Sequence, residues 1–155
     1  MARHQRADGG VIDRNGLEVL GRDECLELLS AATLGRIGLS AGALPLVLPV
    51  NFCVDGDRIV LRTGAGTKLD AASRNAVVSF EVDDIDPLFH GGWSVVVTGI
   101  ATPLESEVEL AHARSLPLLP WAASGGHYIT VSLEDVSGRR INRAAPGPVS
   151  RVTWR

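Results

Sequence analysis

Residues 46–63 read Leu-Val-Leu-Pro-Val-Asn-Phe-Cys-Val-Asp-Gly-Asp-Arg-Ile-Val-Leu-Arg-Thr, two apolar runs on either side of Asp55-Gly56-Asp57. Asp-Gly is the pair that tight hairpin turns favour, and the flanking β-branched residues suit paired strands. The reading is a hairpin of strands 46–54 and 58–63. Pro45 and Pro49 stand at the start of the first strand and within it. Proline cannot donate to a ladder, so that strand is expected at an edge, at a bulge or where pairing is interrupted.

Working upstream, 41–43 reads as a turn and 36–39 as a short strand. Residues 23–32 form a helix in which Cys25, Leu26, Leu28 and Leu29 make an apolar stripe. Asp23 and Glu24 suit its positive N-terminal end. Downstream, 76–82 is a strand and 83–92 a loop of acids, proline and glycine. The β-branched run 93–102 is a long strand, and 105–114 a helix with Val108, Leu110 and Ala111 inward. Glu105, Glu107 and Glu109 form its solvated face, and 116–126 is a loop. The segments 127–133 and onward to 141 supply the last strand or strands. About six strands linked by hairpins, with two or three short helices, favour a mainly β antiparallel barrel over a parallel sheet. A chain of 155 residues suits one domain, 17–142, between a flexible N-terminal tail, 1–16, and a C-terminal tail, 143–155.

Net charge is −3, which does not suit a general nucleic-acid binder. The acidic run Glu81, Asp83, Asp84, Asp86 and the arginines after Gly138 read as solvated faces. No stretch approaches the roughly 20 apolar residues of a membrane span, and residues 1–14 lack the apolar middle of a signal peptide. The expectation is a cytoplasmic protein without a membrane partner. Cys25 and Cys53 lie among apolar residues and read as reduced thiols, and no zinc-type spacing is present. Of 15 basic residues, Lys68 is the only lysine, a bias that fits a GC-rich genome such as an actinobacterial one.

The chemistry concentrates at 61–68, Leu-Arg-Thr-Gly-Ala-Gly-Thr-Lys. A strand delivers Arg62 and Thr63 to a glycine turn that opens a helix, 68–74, with Thr67 as its N-cap. Backbone N–H groups at a helix start, hydroxyls and cations are the parts of a phosphate site. The P-loop pattern fails because 66–69 reads Gly-Thr-Lys-Leu where Gly-Lys followed by Ser or Thr is needed, and the dinucleotide pattern fails because Leu69 stands in place of its third glycine. On the residues alone, the segment is either a plain turn or an anion site. His90, His112 and His127 could titrate or ligate, and Tyr128 or Trp121 could wall a pocket. No nucleophile–base pair or carboxylate dyad stands out, so no catalytic side chain and no metal ligand is assigned.

The order of the first helix, Leu34-Gly35-Arg36-Ile37-Gly38-Leu39, Pro49-Val50-Asn51-Phe52, Arg62-Thr63 with Thr67-Lys68, and Gly92-Trp93-Ser94-Val95-Val96-Val97-Thr98-Gly99 resembles the pyridoxamine 5'-phosphate oxidase-like flavin-binding proteins. The likeness covers 17–142 and is greatest to the branch with nitroimidazole-resistance-type and small actinobacterial members. It implies a six-stranded antiparallel split β-barrel and a homodimer with cofactor sites at the subunit interface. It implies FMN as cofactor, with a 5-deazaflavin coenzyme or haem as alternatives. Arg62, Thr63, Thr67 and Lys68 would hold the flavin phosphate. Pro49, Val50 and Asn51 would run beside the ring, and Trp93 and Ser94 would approach from the partner. The implied activity is a flavin-dependent oxidation or reduction of a small molecule. A deazaflavin-dependent reductase and a non-catalytic flavin or haem carrier, with His90 or His127 as haem ligand, are the alternatives. Pyridoxamine phosphate oxidation itself is not expected, because the C-terminal substrate-binding pattern of that enzyme is not recognised here.

Overall fold

The computed structural model describes residues 10–67, 69–70, 73–118 and 126–141, and the backbone of His4 and Gln5. The elements are β1 (His4–Gln5), β2 (Val11–Ile12), β3 (Glu18–Leu20), α1 (Arg22–Ala31), β4 (Leu34–Ala41), β5 (Leu44–Asp55) and β6 (Arg58–Thr63). There follow β7 (Ala76–Asp86), β8 (Gly91–Pro103), α2 (Glu107–Ser115), β9 (His127–Ser132) and β10 (Asp135–Ile141). Strands β8, β7, β4, β5, β6 and β9 pair antiparallel in that order, and β9 returns to β8. That is a closed six-stranded antiparallel barrel. On its flank, β10 pairs with the first half of β8, and β3, β2 and β1 continue outward from β10.

Period-two alternation sends one set of side chains inward. Ile37, Ile59, Leu61, Phe80, Val97 and Val131 are fully buried there. Phe52 and Phe80 meet edge to face with centroids 4.7 Å apart, a geometry aromatic quadrupoles favour. One end of the sheet is covered by α1, whose Cys25 and Leu29 are fully buried.

The 46–63 hairpin forms as read. Asp55 pairs with Arg58, leaving Gly56 and Asp57 as the turn, with φ +64° at Gly56. The prolines sit as expected. From Leu44 to Asn51, β5 pairs with β4, and it pairs with β6 only from Phe52 to Asp55. On the half that carries Pro45 and Pro49, the β6 side makes no ladder, so the missing N–H groups orphan no partner.

Two readings need correction. The acidic segment 83–86 is not loop: it is the end of β7, paired in register with Gly91 to Ser94. Residues 83–86 are all exposed, while their partners 91–94 are half-buried, so no apolar alternation marks the end of β7. Asp86 closes the turn by accepting from the Leu88 and Phe89 N–H groups at 2.8 and 3.0 Å. The second correction is the buried face of α2. Val108 is 81% exposed and Ala111 is also outward, while Ala113 and the half-buried Leu110 face Val60 and Tyr128. The i, i+3 pair defines the stripe, and the helix begins at Glu107 rather than 105.

Strands β1 and β2 fall within the segment read as a tail, and Arg139 Nε lies 3.0 Å from Asp13 Oδ2. Residues 143–155 lie outside the described residues. Cys25 and Cys53 are free thiols, and burial raises the pKa of each. Among the described residues, no helix is long and apolar enough to cross a membrane.

Candidate functional site

Strands β5, β6 and β9 run side by side. Phe52 faces Leu61 across one ladder, and Arg62 and Thr63 face Tyr128 and His127 across the next. Alternation puts Arg62 and Thr63 on opposite faces of β6. Thr63 is buried at the barrel end, and Arg62 lies outside with its guanidinium carbon 6.0 Å from the centroid of the Tyr128 ring. Asn51, half-buried, immediately precedes Phe52 and so stands at the same end of the β5–β6 ladder as Arg62.

The glycine turn is held by a compact network. The Thr67 hydroxyl lies 3.0 Å from the Thr63 hydroxyl, donates to the Gly64 carbonyl at 3.0 Å and accepts from the Asp70 N–H at 3.1 Å. The Asp70 carboxylate reaches back to the Gly66 N–H at 3.1 Å, and its other oxygen lies 3.1 Å from His127 Nδ1. This is the reciprocal logic of a capping box, with aspartate as the acid. The hydrogen bond from His127, followed by the one from Gly66, holds the Asp70 carboxyl below its ordinary pKa. The Gly66 amide, one of the backbone N–H groups at the helix start, is therefore already engaged by Asp70. Thr63, Thr67 and Arg62 are polar side chains that the fold brings to this end of β6. Lys68, the fourth member of the expected set, lies outside the described residues.

Pro49, Val50 and Asn51 face Arg36, Gly35 and Leu34 across the β4–β5 ladder. Pro49 is exposed, and Val50 belongs to the core. Trp93 and Ser94 are not brought to this cluster within the chain. They pair with Asp84 and Asp83 on β7 and with Arg140 and Arg139 on β10. From β5 to β8 is three strand spacings of about 4.8 Å each, with β4 and β7 between.

A hollow of 330 Å³ opens beside the turn, between the β8–α2 connection and the start of β9. Leu104, Glu105, Leu110, Arg74, His127 and Tyr128 line it. Tyr128 thus walls a pocket, as one reading of the sequence had it. Trp121 lies outside the described residues, and His90 is exposed on the β7–β8 turn at φ +50°. His112 lies 3.0 Å from Asp55, and Arg58 reaches Glu109 at 3.0 Å, so these residues fasten α2 to the β5–β6 hairpin. Among the described residues, no group of His, Cys, Asp or Glu could hold a metal ion. Sequence reading missed Asp70, although Thr-x-x-Asp after a glycine turn is the pattern of a reciprocal cap.

The family model for pyridoxamine 5'-phosphate oxidase matches residues 21–140. The chain belongs to that family. An uncharacterised protein of Mycobacterium tuberculosis is 38% identical over 128 residues, spanning 79% of this chain and 84% of its own length. The FAD binding protein from Mycobacterium smegmatis is 38% identical with a TM-score of 0.69, covering 79% of this chain and 96% of that one. A FAD-binding protein from Mesorhizobium loti is 25% identical with a TM-score of 0.66, covering 81% and 99%. The matched span takes in the whole barrel, both helices and most of β10.

The carboxylates of this family member make stability pH-dependent. Asp70 is lowered by His127, Asp55 by its hydrogen bond with His112, and Asp13 by the Leu17 N–H. Each binds its proton more weakly folded than unfolded. Their contribution is complete above the unfolded value of 3.8 and is lost as pH falls through the lower folded values. Thermal melts at stepped pH should show a midpoint insensitive to these groups above about pH 5 and falling below about pH 4. In Asp70→Asn the fall should be shallower.

Proposed function

We propose that this chain binds a flavin nucleotide through its ring-side phosphate and acts as an oxidoreductase on a small organic molecule. The observation that carries the reading is the pair of hydroxyls, Thr63 and Thr67, 3.0 Å apart where β6 ends, with Arg62 on the same strand end. Hydroxyls and a guanidinium are groups that a phosphate dianion takes. The Thr67 hydroxyl would serve by turning its proton from the Gly64 carbonyl to the phosphate, with Arg62 reaching round the strand end. Lys68, next in sequence, would add a second cation. Pro49, Val50 and Asn51 would run beside the ring, on the half of β5 that lies before its ladder with β6 begins. The flavin, when bound, supplies the electron transfer, and the chain supplies position and charge. That division accounts for a site without a nucleophile or a carboxylate dyad.

FMN carries a single phosphate, which this compact cluster can satisfy. FAD carries the same phosphate next to its riboflavin, and the two relatives named for binding FAD support the larger nucleotide. The cluster serves either. We also propose a homodimer, in which Trp93 and Ser94 of one copy reach the flavin of the other. The outward face of β5, β4, β7 and β8 supports it: Val47, Val77, Leu34 and Ile100 are exposed there, with Gly38 and Ser79 leaving the middle flat.

Purified protein tests both statements in one experiment. Sedimentation should give a dimer, and its boundary should carry the two visible absorption bands of an oxidised flavin, one per chain. A colourless protein that takes up neither FMN nor FAD overturns the flavin reading. A flavin-bearing monomer overturns the dimer alone.

A further inference from the structure

We propose that His127 is a positioning residue for the phosphate turn. Without touching the ligand, it fixes Asp70, and Asp70 in turn fixes the Thr63 and Thr67 hydroxyls, so β9 governs how tightly the phosphate is held. The inference rests on the flavin reading above and names the residue that orders that site.

The path is an unbroken chain of hydrogen bonds. His127 stands directly opposite Thr63 in the β6–β9 ladder, so the two side chains leave the same face of the sheet. On that face His127 Nδ1 lies 3.1 Å from one oxygen of Asp70. The other oxygen accepts from the Gly66 N–H at 3.1 Å, and the Asp70 N–H donates to the Thr67 hydroxyl at 3.1 Å. That hydroxyl lies 3.0 Å from the hydroxyl of Thr63. Asp70 therefore joins β9 to the turn through its side chain and to Thr67 through its backbone.

Charge says what His127 adds. Its hydrogen bond, followed by the one from Gly66, holds the Asp70 carboxyl low, so Asp70 is ionised near neutral pH. An ionised carboxylate only accepts, so the imidazole places a proton on Nδ1. Asp70 is 8% exposed. Among the described residues, removing His127 leaves this buried carboxylate with one donor, the Gly66 amide. Arg74 adds Coulomb attraction from a guanidinium paired with Glu105 at 3.5 Å. A buried charge short of donors costs free energy and turns toward water, which releases Gly66 and Thr67 together. The hydroxyls then lose the arrangement that a phosphate meets, while the ring side of the site on β5 is untouched.

The test titrates two probes that differ by the phosphate, FMN and riboflavin, into the flavin-stripped full chain. Wild type should prefer FMN. His127→Ala should weaken FMN about tenfold, the lower end of what a charged hydrogen bond controls, and leave riboflavin unchanged. His127→Asn offers an amide N–H in place of Nδ1–H and should restore most of the FMN affinity. The His127 side chain is 46% exposed, so neither variant empties a core site and both should fold, as melting will show. Three results overturn the positioning role and leave the flavin site standing. They are equal loss for both probes, unchanged FMN affinity in His127→Ala, and a His127→Asn as weak as His127→Ala. A wild type that holds riboflavin as tightly as FMN, or takes up neither, removes the phosphate seat and this inference with it.

Discussion

Gly99→Val should remove a large share of the stability of the fold. Gly99 is buried on β8, and a Cβ built there would lie 2.0 Å from the backbone oxygen of Ser132 and 3.0 Å from its carbonyl carbon. The reason is topological. Between Thr98, which faces Asp135, and Ala101, which faces Val131, β8 changes partner from β10 to β9. The chain linking those partners must therefore cross close over β8, and Ser132 marks the crossing. Its hydroxyl accepts from the Ile100 N–H at 2.8 Å, which holds the two backbones together. Overpacking a core where side chains can move costs about 1–3 kcal/mol. Here backbone would meet backbone, so the expected loss is about 3–5 kcal/mol. That is a large share of the roughly 5–15 kcal/mol that holds a domain folded. Urea unfolding should show it, with Gly99→Ala between wild type and Gly99→Val. Gly126→Ala, where a Cβ meets nothing, is the control and should stay within about 0.5 kcal/mol. A wild-type midpoint in Gly99→Val would refute the account.

The same crossing explains what the sequence could and could not say. The β5–β6 hairpin was legible because Asp-Gly, flanked by β-branched residues, is a local signal, and the prolines of β5 pointed to a half-paired strand. The partner change of β8 has no local signal. It rests on pairings between residues far apart in the chain, Thr98 with Asp135 and Arg62 with Tyr128. Gly99 stood in the resemblance as a matched letter, and the crossing gives it a cause. The end of β7 was misread because its exposed acids carry no alternation, and the buried face of α2 because Val108 is apolar yet outward. At the site, Arg62, Thr63 and Thr67 were legible as types on a turn. Their arrangement was not, because Asp70 takes the amide that the turn seemed to offer and His127 holds Asp70 from another strand.

Arg62→Ala should weaken flavin binding about 10- to 150-fold, the value of a charged hydrogen bond of about 1.5–3 kcal/mol. Lys68→Ala should fall in the same range if both cations meet the phosphate. The guanidinium over Tyr128 has a second role, since a cation–π contact at a partly exposed site contributes about 0.5–1 kcal/mol to the fold itself. Affinity and stability must therefore be read separately, by flavin titration and by melting. Arg62→Lys separates charge from shape. A lysine keeps the charge but loses the planar fork and most of the stacking, so its flavin affinity should lie between wild type and alanine. A purely structural Arg62 would instead lower the melting midpoint in both variants and leave the affinity of the folded fraction unchanged. Raised salt offers an independent readout. Screening weakens a phosphate–cation pair, so wild-type affinity should fall with ionic strength more steeply than that of Arg62→Ala. Unchanged affinity in both Arg62→Ala and Lys68→Ala would move the phosphate away from the end of β6, and with it the ring from β5.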